Sequence, residues 1–377
     1  MTTYIKIKED NNIKCNKQIK EFLDPDYIYL PYEDGSIINV KGNEEINKNA
    51  IVLINTDIFT YSPISGTVIG MTDNIVNGKK QKTIVIENNF KEKVAKTLGS
   101  KKDISSLDKA TILKDIKELR AYNGNLKGNT MVINGIDYEP YEETYSYLIS
   151  EHTDQILECI DALINILQVR KCFFAIKDND SNNVETLINQ IGTYPNIELK
   201  LKKDVYPIGH KDLLIKDLVL ESKIKKGVIY LTVEDVFNIY NVLKRKYPIT
   251  EKLVTITGNA ISKSKVVNVK IGTRLADIIN EEFKIINEDY HIIINGLLSG
   301  YEVEDLNTII TSNIHSVFIQ TKEKYRENKC INCGLCHTYC PVKADPRSKY
   351  NMAKCLKCGL CNYMCPSKIK LVGDKNE

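Results

Sequence analysis

Cys330–Pro341 reads CINCGLCHTYCP and Cys355–Pro366 reads CLKCGLCNYMCP, one pattern repeated at an offset of 25 residues. Each run has the form C-x2-C-x2-C-x3-C-P. Three cysteines at that spacing wrap a tight loop around one four-iron cubane, while the fourth, placed before a proline, ligates the neighbouring cluster. On that rule one [4Fe-4S] cluster takes Cys330, Cys333, Cys336 and Cys365, and the other takes Cys355, Cys358, Cys361 and Cys340. Structural zinc also uses C-x2-C pairs, but a four-ligand ion gains nothing from a third step followed by C-P. Gly334 and Gly359 follow the second cysteine of each run, where a side chain would crowd the sulfide face, and Pro341 and Pro366 fix the exit of the chain. His337, inside the first run, reads as a surface residue able to tune a nearby cluster through a hydrogen bond.

The other cysteines are scattered. Cys159 falls on the apolar side of a helical pattern and Cys172 begins a strand, so both read as core thiols, and Cys15 carries no motif. The longest apolar stretches, AIVLI at 50–54 and VIYLTV from Val228, fall far short of the ~18 residues that span a bilayer. The opening MTTYIKIKEDNNIK mixes charges and lacks the apolar core of a secretory signal, which gives the expectation of a cytoplasmic, reducing location. In such a compartment dense cysteines read as metal ligands rather than disulfides. The net charge of +3 on 377 residues gives no support to nucleic-acid binding. From residue 322 onward, however, twelve Lys or Arg face five Asp or Glu. That excess either offsets the charge of thiolate-ligated clusters or forms a docking face for an acidic carrier such as ferredoxin or flavodoxin.

Upstream, the chain divides by pattern. Residues 27–85 carry short β-like runs broken by turns (YIYLPYEDGS, AIVLINTD, SPISGTVIGM, KTIVIEN) and predict a β-rich domain. Residues 104–120 place Ile112, Leu113, Ile116 and Leu119 on one helical face. From about 130 to 246, strands and helices alternate: MVI, then HTDQILECIDALINILQV with Thr153 as a helix N-cap, KCFFAI, NVETLINQI, and GVIYLT running into a helix with a Thr232/Asp235 capping box. That alternation predicts a largely parallel α/β layer. After Pro248 short strands and one helix, RLADIINEEF, predict a small mixed domain, and TKEKYRENK leads as a helix or linker into the cysteine module.

The order of these segments resembles the C subunit of the Rnf ferredoxin:NAD oxidoreductase complex and its soluble relatives, among them the proline-reductase-associated electron transfer protein and cobalamin reductase. The stretches that carry the resemblance are VKGNEEINKNAIVLIN with YSPISGTV, MVINGIDYEPYEE, YPIGHKDLLI, VTITGNAISKSKVVNVKIGT and the double cysteine run. The resemblance implies a multidomain α/β and α+β fold: a hybrid-barrel domain at 1–98, a flavin/NADH-type α/β domain at 99–248, a β-grasp (SLBB-like) domain at 249–318 and a two-cluster ferredoxin-like module at 319–377. It also implies a degenerate flavin site at Asn134, Gly135, Asp137 and Glu139, with Tyr138 standing where the family has cysteine. The family's glycine-rich loop G-G-x-G-F-P is missing, since Asp103 to Asn123 contain no glycine. Backbone N–H groups approach a phosphate closely only where no Cβ intervenes, so FMN is expected to be lost or weakly held, and no catalytic residue is assigned.

Three functions follow as expectations. The first is an electron-transfer protein relaying through two [4Fe-4S] clusters between a soluble donor, ferredoxin or flavodoxin, and a partner reductase. The second is an NADH dehydrogenase with a remodelled FMN pocket. The third is a docking or assembly component, peripheral to a membrane complex at the inner face of the cell membrane.

Overall fold

The computed structural model describes residues 4–7, 19–56, 58–95, 104, 108–222, 227–322 and 328–372. Cys15, most of the 96–107 stretch and linker residues 323–327 lie outside the described residues. The fold is a mixed α/β multidomain assembly of four sheets followed by the cysteine module.

The first strands in the chain are β1 (Ile19–Phe22), β2 (Tyr27–Pro31), β3 (Ile37–Ile38), β4 (Glu45–Ile46), β5 (Ile51–Asn55), β6 (Ile58–Tyr61), β7 (Gly66–Val76) and β8 (Lys79–Asn88). All but β1 build two antiparallel groups, β7-β8-β2 with β4 on β7, and β3-β5-β6, around a core of Ile28, Leu30, Val52, Ile64, Ile84 and Ile86.

The α/β layer follows: α1 (Lys109–Glu118), β9 (Thr130–Asn134), α2 (Thr144–Leu167), β10 (Lys171–Lys177), α3 (Ser181–Ile191), β11 (Ile197–Lys202), α4 (Lys211–Ser222), β12 (Val228–Thr232) and α5 (Val233–Arg245). Its sheet is parallel throughout, in the order β11-β10-β9-β12. The near-continuous apolar runs TMVIN and KCFFAIK suit strands covered on both faces. Period-two alternation assigns the faces: Met131, Ile133, Cys172, Phe174 and Ile176 meet α1, α2, α3 and α5, while Val132, Phe173 and Ala175 meet Leu214 and Leu218 of α4. Cys159 and Cys172 are fully buried here, their thiols pushed up by burial.

Two local expectations change. The 104–120 pattern yields a helix only from Lys109, where the Asp108 side chain accepts from Thr111 N. Thr153 is no N-cap: α2 begins at Thr144 and bends at His152, and the Thr153 hydroxyl turns back onto the Ile149 carbonyl. The apolar stripe from Ile156 to Leu167 is buried as expected, and burial of each such side chain contributes about 1.5–3 kcal/mol. The earlier start escaped the pattern because the first turns of α2 are capped from outside the helix.

A third region contains β13 (Glu251–Thr257), β14 (Lys265–Lys270), α6 (Leu275–Glu282), β15 (Tyr290–Ile294), β16 (Tyr301–Val303), β17 (Thr308–Ile309) and β18 (Ser316–Thr321). Its six-stranded sheet runs β1-β14-β13-β18-β15-β16, so β1 joins strands from far along the chain, and β17 in return extends the β7 sheet. The module then carries α7 (Leu335–Thr338), a 3-10 turn at Lys349–Lys354 and α8 (Leu360–Tyr363).

Candidate functional site

The 25-residue repeat survives in three dimensions. Asn332 and Lys357, Gly334 and Gly359, and Lys343 and Lys368 adopt matching left-handed backbone, and α7 and α8 sit at equivalent places. These turns aim amides at sulfur: Asn332 N donates to Cys330 Sγ at 3.4 Å, Lys357 N to Cys355 Sγ at 3.4 Å, and Ala344 N to Cys340 Sγ at 3.2 Å. The glycines are needed for the left-handed turn itself. A Cβ on Gly334 would meet nothing within 4 Å, whereas one on Gly359 would stand 1.6 Å from the Leu298 carbonyl oxygen. His337 is half-buried, its Nδ1 lying 3.4 Å from the Ala344 carbonyl, one peptide away from the amide that reaches Cys340.

Cys330, Cys333, Cys336 and Cys365 line one cavity, closed by Leu335, Pro366, Ile369 and Leu371. Cys358 and Cys361 each lie close enough to Cys340 and Cys355 for their charges to interact. The fold thus gathers the cysteines into two groups of four, each drawing one member from the other run. The first group surrounds a cavity instead of converging on a point, and among the described residues no three His, Cys, Asp or Glu side chains form a group able to hold a single ion. Burial pushes the Cys358 thiol up to about 11 and the Cys361 thiol to about 12, so these sulfurs ionise near neutral pH only when a metal takes the place of the proton. Amides directed at sulfur, exchanged fourth cysteines and apolar walls fit a four-iron cluster in each group.

The second group is anchored to the α/β layer. The Tyr206 hydroxyl lies 2.5 Å from the Cys358 carbonyl oxygen and 2.7 Å from Glu139 Oε1. Glu139 Oε1 also accepts from Ser299 Oγ at 2.7 Å, and Oε2 from Leu298 N at 3.0 Å. Tyr206 has one proton, and a carbonyl can only accept. With Glu139 protonated, the carboxyl donates to Tyr206 and Tyr206 donates to Cys358, so both contacts are satisfied. Burial and the neighbouring Glu142 favour the same neutral form and raise the Glu139 carboxyl to about 7, against the pull of Ser299, Leu298 and Tyr206, whose hydrogen bonds favour its ionised form. Beside this network the Tyr138 and His210 rings stand 5.5 Å apart, and His210 reaches the Leu356 backbone between two cysteines of the second run.

The residues expected to form a flavin site stand at the carboxyl end of the parallel sheet, and their polar groups are engaged within the chain. Asn134 Nδ2 donates to the Gly209 carbonyl and to the Tyr230 hydroxyl, and its Oδ1 accepts from Ile136 N. Gly135 is pressed between Ile149, Phe174 and Ile176. Asp137 accepts from Tyr145 N at 2.8 Å and Ser146 N at 3.2 Å, which closes the N-terminus of α2. On a β-strand followed by a helix, that terminus is where a phosphate would otherwise sit. Asp180 closes α3 and the Thr232/Asp235 box closes α5 in the same way. In a cavity next to Asp137, the charged lining residues are the acids Asp137, Glu139, Glu142, Glu143 and Asp204 with Lys177 the one base. As they stand, these residues do not fit an anionic mononucleotide.

Tyr206, Ser299 and Leu298 are additions that sequence reasoning missed. Tyr206 lies in the YPIGHKDLLI stretch, but nothing local marks its contact with Cys358, 152 residues away.

Comparison with known proteins finds matches in both the α/β layer and the cysteine module. Residues 323–344 match the model of a 4Fe-4S binding domain, and residues 110–244 match the Nuo51 FMN-binding domain. The C subunit of an ion-translocating oxidoreductase complex from Haemophilus influenzae (strain Rd) is 28% identical over 231 residues, 59% of this chain and 28% of that protein. The C subunit of the proton-translocating ferredoxin:NAD(+) oxidoreductase complex from Clostridium ljungdahlii is 25% identical over 368 residues, 88% of this chain and 79% of that protein. The corresponding protein from Buchnera aphidicola subsp. Baizongia pistaciae is 25% identical over 377 residues, covering 89% and 74%. The chain spans only 28–36% of the length of the three Haemophilus relatives. Fold and site together define an iron–sulfur protein carrying an FMN-domain-like α/β layer. Within that class the chain is similar to the C subunits of ion-translocating and ferredoxin:NAD(+) oxidoreductase complexes.

Proposed function

We propose that this protein relays single electrons through two [4Fe-4S] clusters, between a soluble carrier of the ferredoxin or flavodoxin type and a partner reductase or complex. The observation that carries the reading is the duplicated loop with its matching left-handed turns, supported by the cavity that Cys330, Cys333, Cys336 and Cys365 line together. When bound, each cluster takes up or releases one electron. Cys330, Cys333, Cys336 and Cys365 hold one, and Cys340, Cys355, Cys358 and Cys361 hold the other. The chain's own contribution is to orient the sulfurs with backbone amides and wall them with apolar side chains.

The relatives' names make them subunits of oxidoreductase complexes, which supports a place for this chain beside partner proteins, and no helix among the described residues is long and apolar enough to cross a membrane. In the domain reading that accompanies this proposal, the β7 and β5 sheets form the hybrid-barrel region and the six-stranded sheet with α6 forms the β-grasp region.

The match of residues 110–244 to an FMN-binding domain favours a second reading, a flavin-dependent NADH dehydrogenase. That reading requires a phosphate site that does not depend on the α2 terminus held by Asp137. An anaerobic visible spectrum of the iron-reconstituted protein, supplied with FMN and titrated with NADH, separates the two. The relay reading expects no bleaching with NADH and full bleaching with dithionite or reduced ferredoxin. Bleaching by NADH that depends on added FMN would establish the dehydrogenase instead.

A further inference from the structure

The two cysteine runs are near copies in sequence, yet the fold places them in unequal surroundings. Cys330 and Cys333 are exposed, with Ile331 between them 65% exposed, although Cys336 of the same group is buried. Cys358, by contrast, is buried in an apolar cluster with Tyr206 and Leu360, against which Ile5, Ile7, Leu298, Leu356 and Met364 pack. Ile5 exchanges two backbone hydrogen bonds with Tyr206, at 3.1 and 2.7 Å, and so closes the cover from the amino-terminal side. Gly334 faces open space, while its counterpart Gly359 lies against the Leu298 backbone. Tyr206 then ties the Cys358 carbonyl to Glu139, which in turn holds Leu298 and Ser299. One loop is therefore locked into the body of the molecule and the other is presented outward.

Resting on the two-cluster reading, we propose that the cysteine groups are the unequal ends of one wire. Cys340, Cys355, Cys358 and Cys361 form the interior end, positioned by Tyr206 against the α/β layer, and Cys330, Cys333, Cys336 and Cys365 form the exterior end, which meets an acidic electron-carrier protein. The sign of the partner follows from charge: residues 328–372 contain eight Lys or Arg and a single acid, Asp345, which is paired with Arg347. An acidic surface is drawn to a module of that charge, and the exposed loop lets it approach the sulfurs closely. One electron crosses per encounter and no atom is transferred; the carrier is oxidised as the chain is reduced, or the reverse. Tyr206 acts as a positioning residue. Its hydroxyl lowers the electron density at the Cys358 peptide, and hydrogen bonds around a cluster help to set its potential.

The test uses the anaerobic holoprotein, reduced to show both clusters by electron paramagnetic resonance, with a soluble paramagnetic dysprosium chelate added. The expected result is strong relaxation enhancement of one cluster signal and little change in the other. A redox titration of Tyr206→Phe should then move only the shielded cluster to a more negative potential. Equal enhancement of both signals would overturn the inference, as would a shift of the chelate-sensitive cluster in Tyr206→Phe. Should the variant fail to assemble, the wild-type chelate measurement decides alone. Iron content separates the two levels of the argument: about eight irons per chain with equal enhancement sinks only the inequality, whereas about four irons sinks the two-cluster reading beneath it.

Discussion

Glu139 joins three regions of the chain through one buried carboxyl group, and its protonation leaves a measurable trace. Its folded-state value of about 7 lies above the ordinary 4.5, so the folded protein retains a proton that the unfolded chain has released. Its contribution is therefore most favourable below pH 4.5, and stability declines as pH rises from there to about 7, by on the order of 3 kcal/mol in all. Glu139→Gln removes this titration, and its denaturation midpoint should flatten across that window relative to wild type. An unchanged slope would assign the decline to another group. The cysteines give the simplest residue-scale prediction. Cys333→Ala or Cys358→Ala should each lower iron content from about eight to about four per chain and destabilise the carboxyl module. Full iron in either variant would refute the ligand assignment. All eight ligand candidates were legible in the sequence because their meaning lies in offsets of three or four residues. The role of Tyr206 was not legible, because a phenol bonded to a distant carbonyl leaves no periodic mark.

At the level of elements, the two cluster loops show how one local sequence acquires two different constraints. Gly334→Ala meets only the cost of a left-handed turn without glycine, about 1–2 kcal/mol. Gly359→Ala carries the same cost and must also displace the Leu298 backbone. Thermal bleaching of cluster absorbance should therefore begin at a lower temperature in the Gly359 variant than in the Gly334 variant, and equal losses would show that the contact with Leu298 is dispensable. The α/β elements were readable from periodicity, down to the capping box of α5. The start of α2 was misplaced because its cap, Asp137, lies seven residues ahead of the first helical residue and outside any standard capping window. The same carboxyl group explains why a nucleotide-domain pattern does not by itself locate a nucleotide: the chain can supply its own hydrogen-bond acceptor to the helix terminus.

On the scale of the whole molecule, buried polar contacts hold the α/β layer to the six-stranded sheet. Burial raises the Glu234 carboxyl, but Lys252 at 3.6 Å, with help from His315, more than reverses this and holds it at about 2. Lys252 itself is held below its ordinary value, since its burial outweighs the pair. For Glu234 the folded value lies below the ordinary 4.5, so its stabilisation is complete above that pH and is lost as pH falls through about 2. Glu234→Gln leaves the buried Lys252 amine without its counter-charge and should cost roughly 3 kcal/mol in denaturant unfolding, a loss regained in part when Lys252 is changed to Met as well. An effect below about 0.5 kcal/mol, the range of ordinary surface substitutions, would mean that other contacts hold the interface. The sequence by itself determined the cluster module, the α/β alternation and the apolar faces of the helices, because ligand spacing and periodicity are short-range properties that every few residues restate. Only the tertiary structure decided that β1 pairs with β14, that β17 completes the β7 sheet, and which of two near-identical loops lies inside. Those outcomes depend on surfaces brought together from distant parts of the chain, where the same local turn is free in one copy and enclosed in the other.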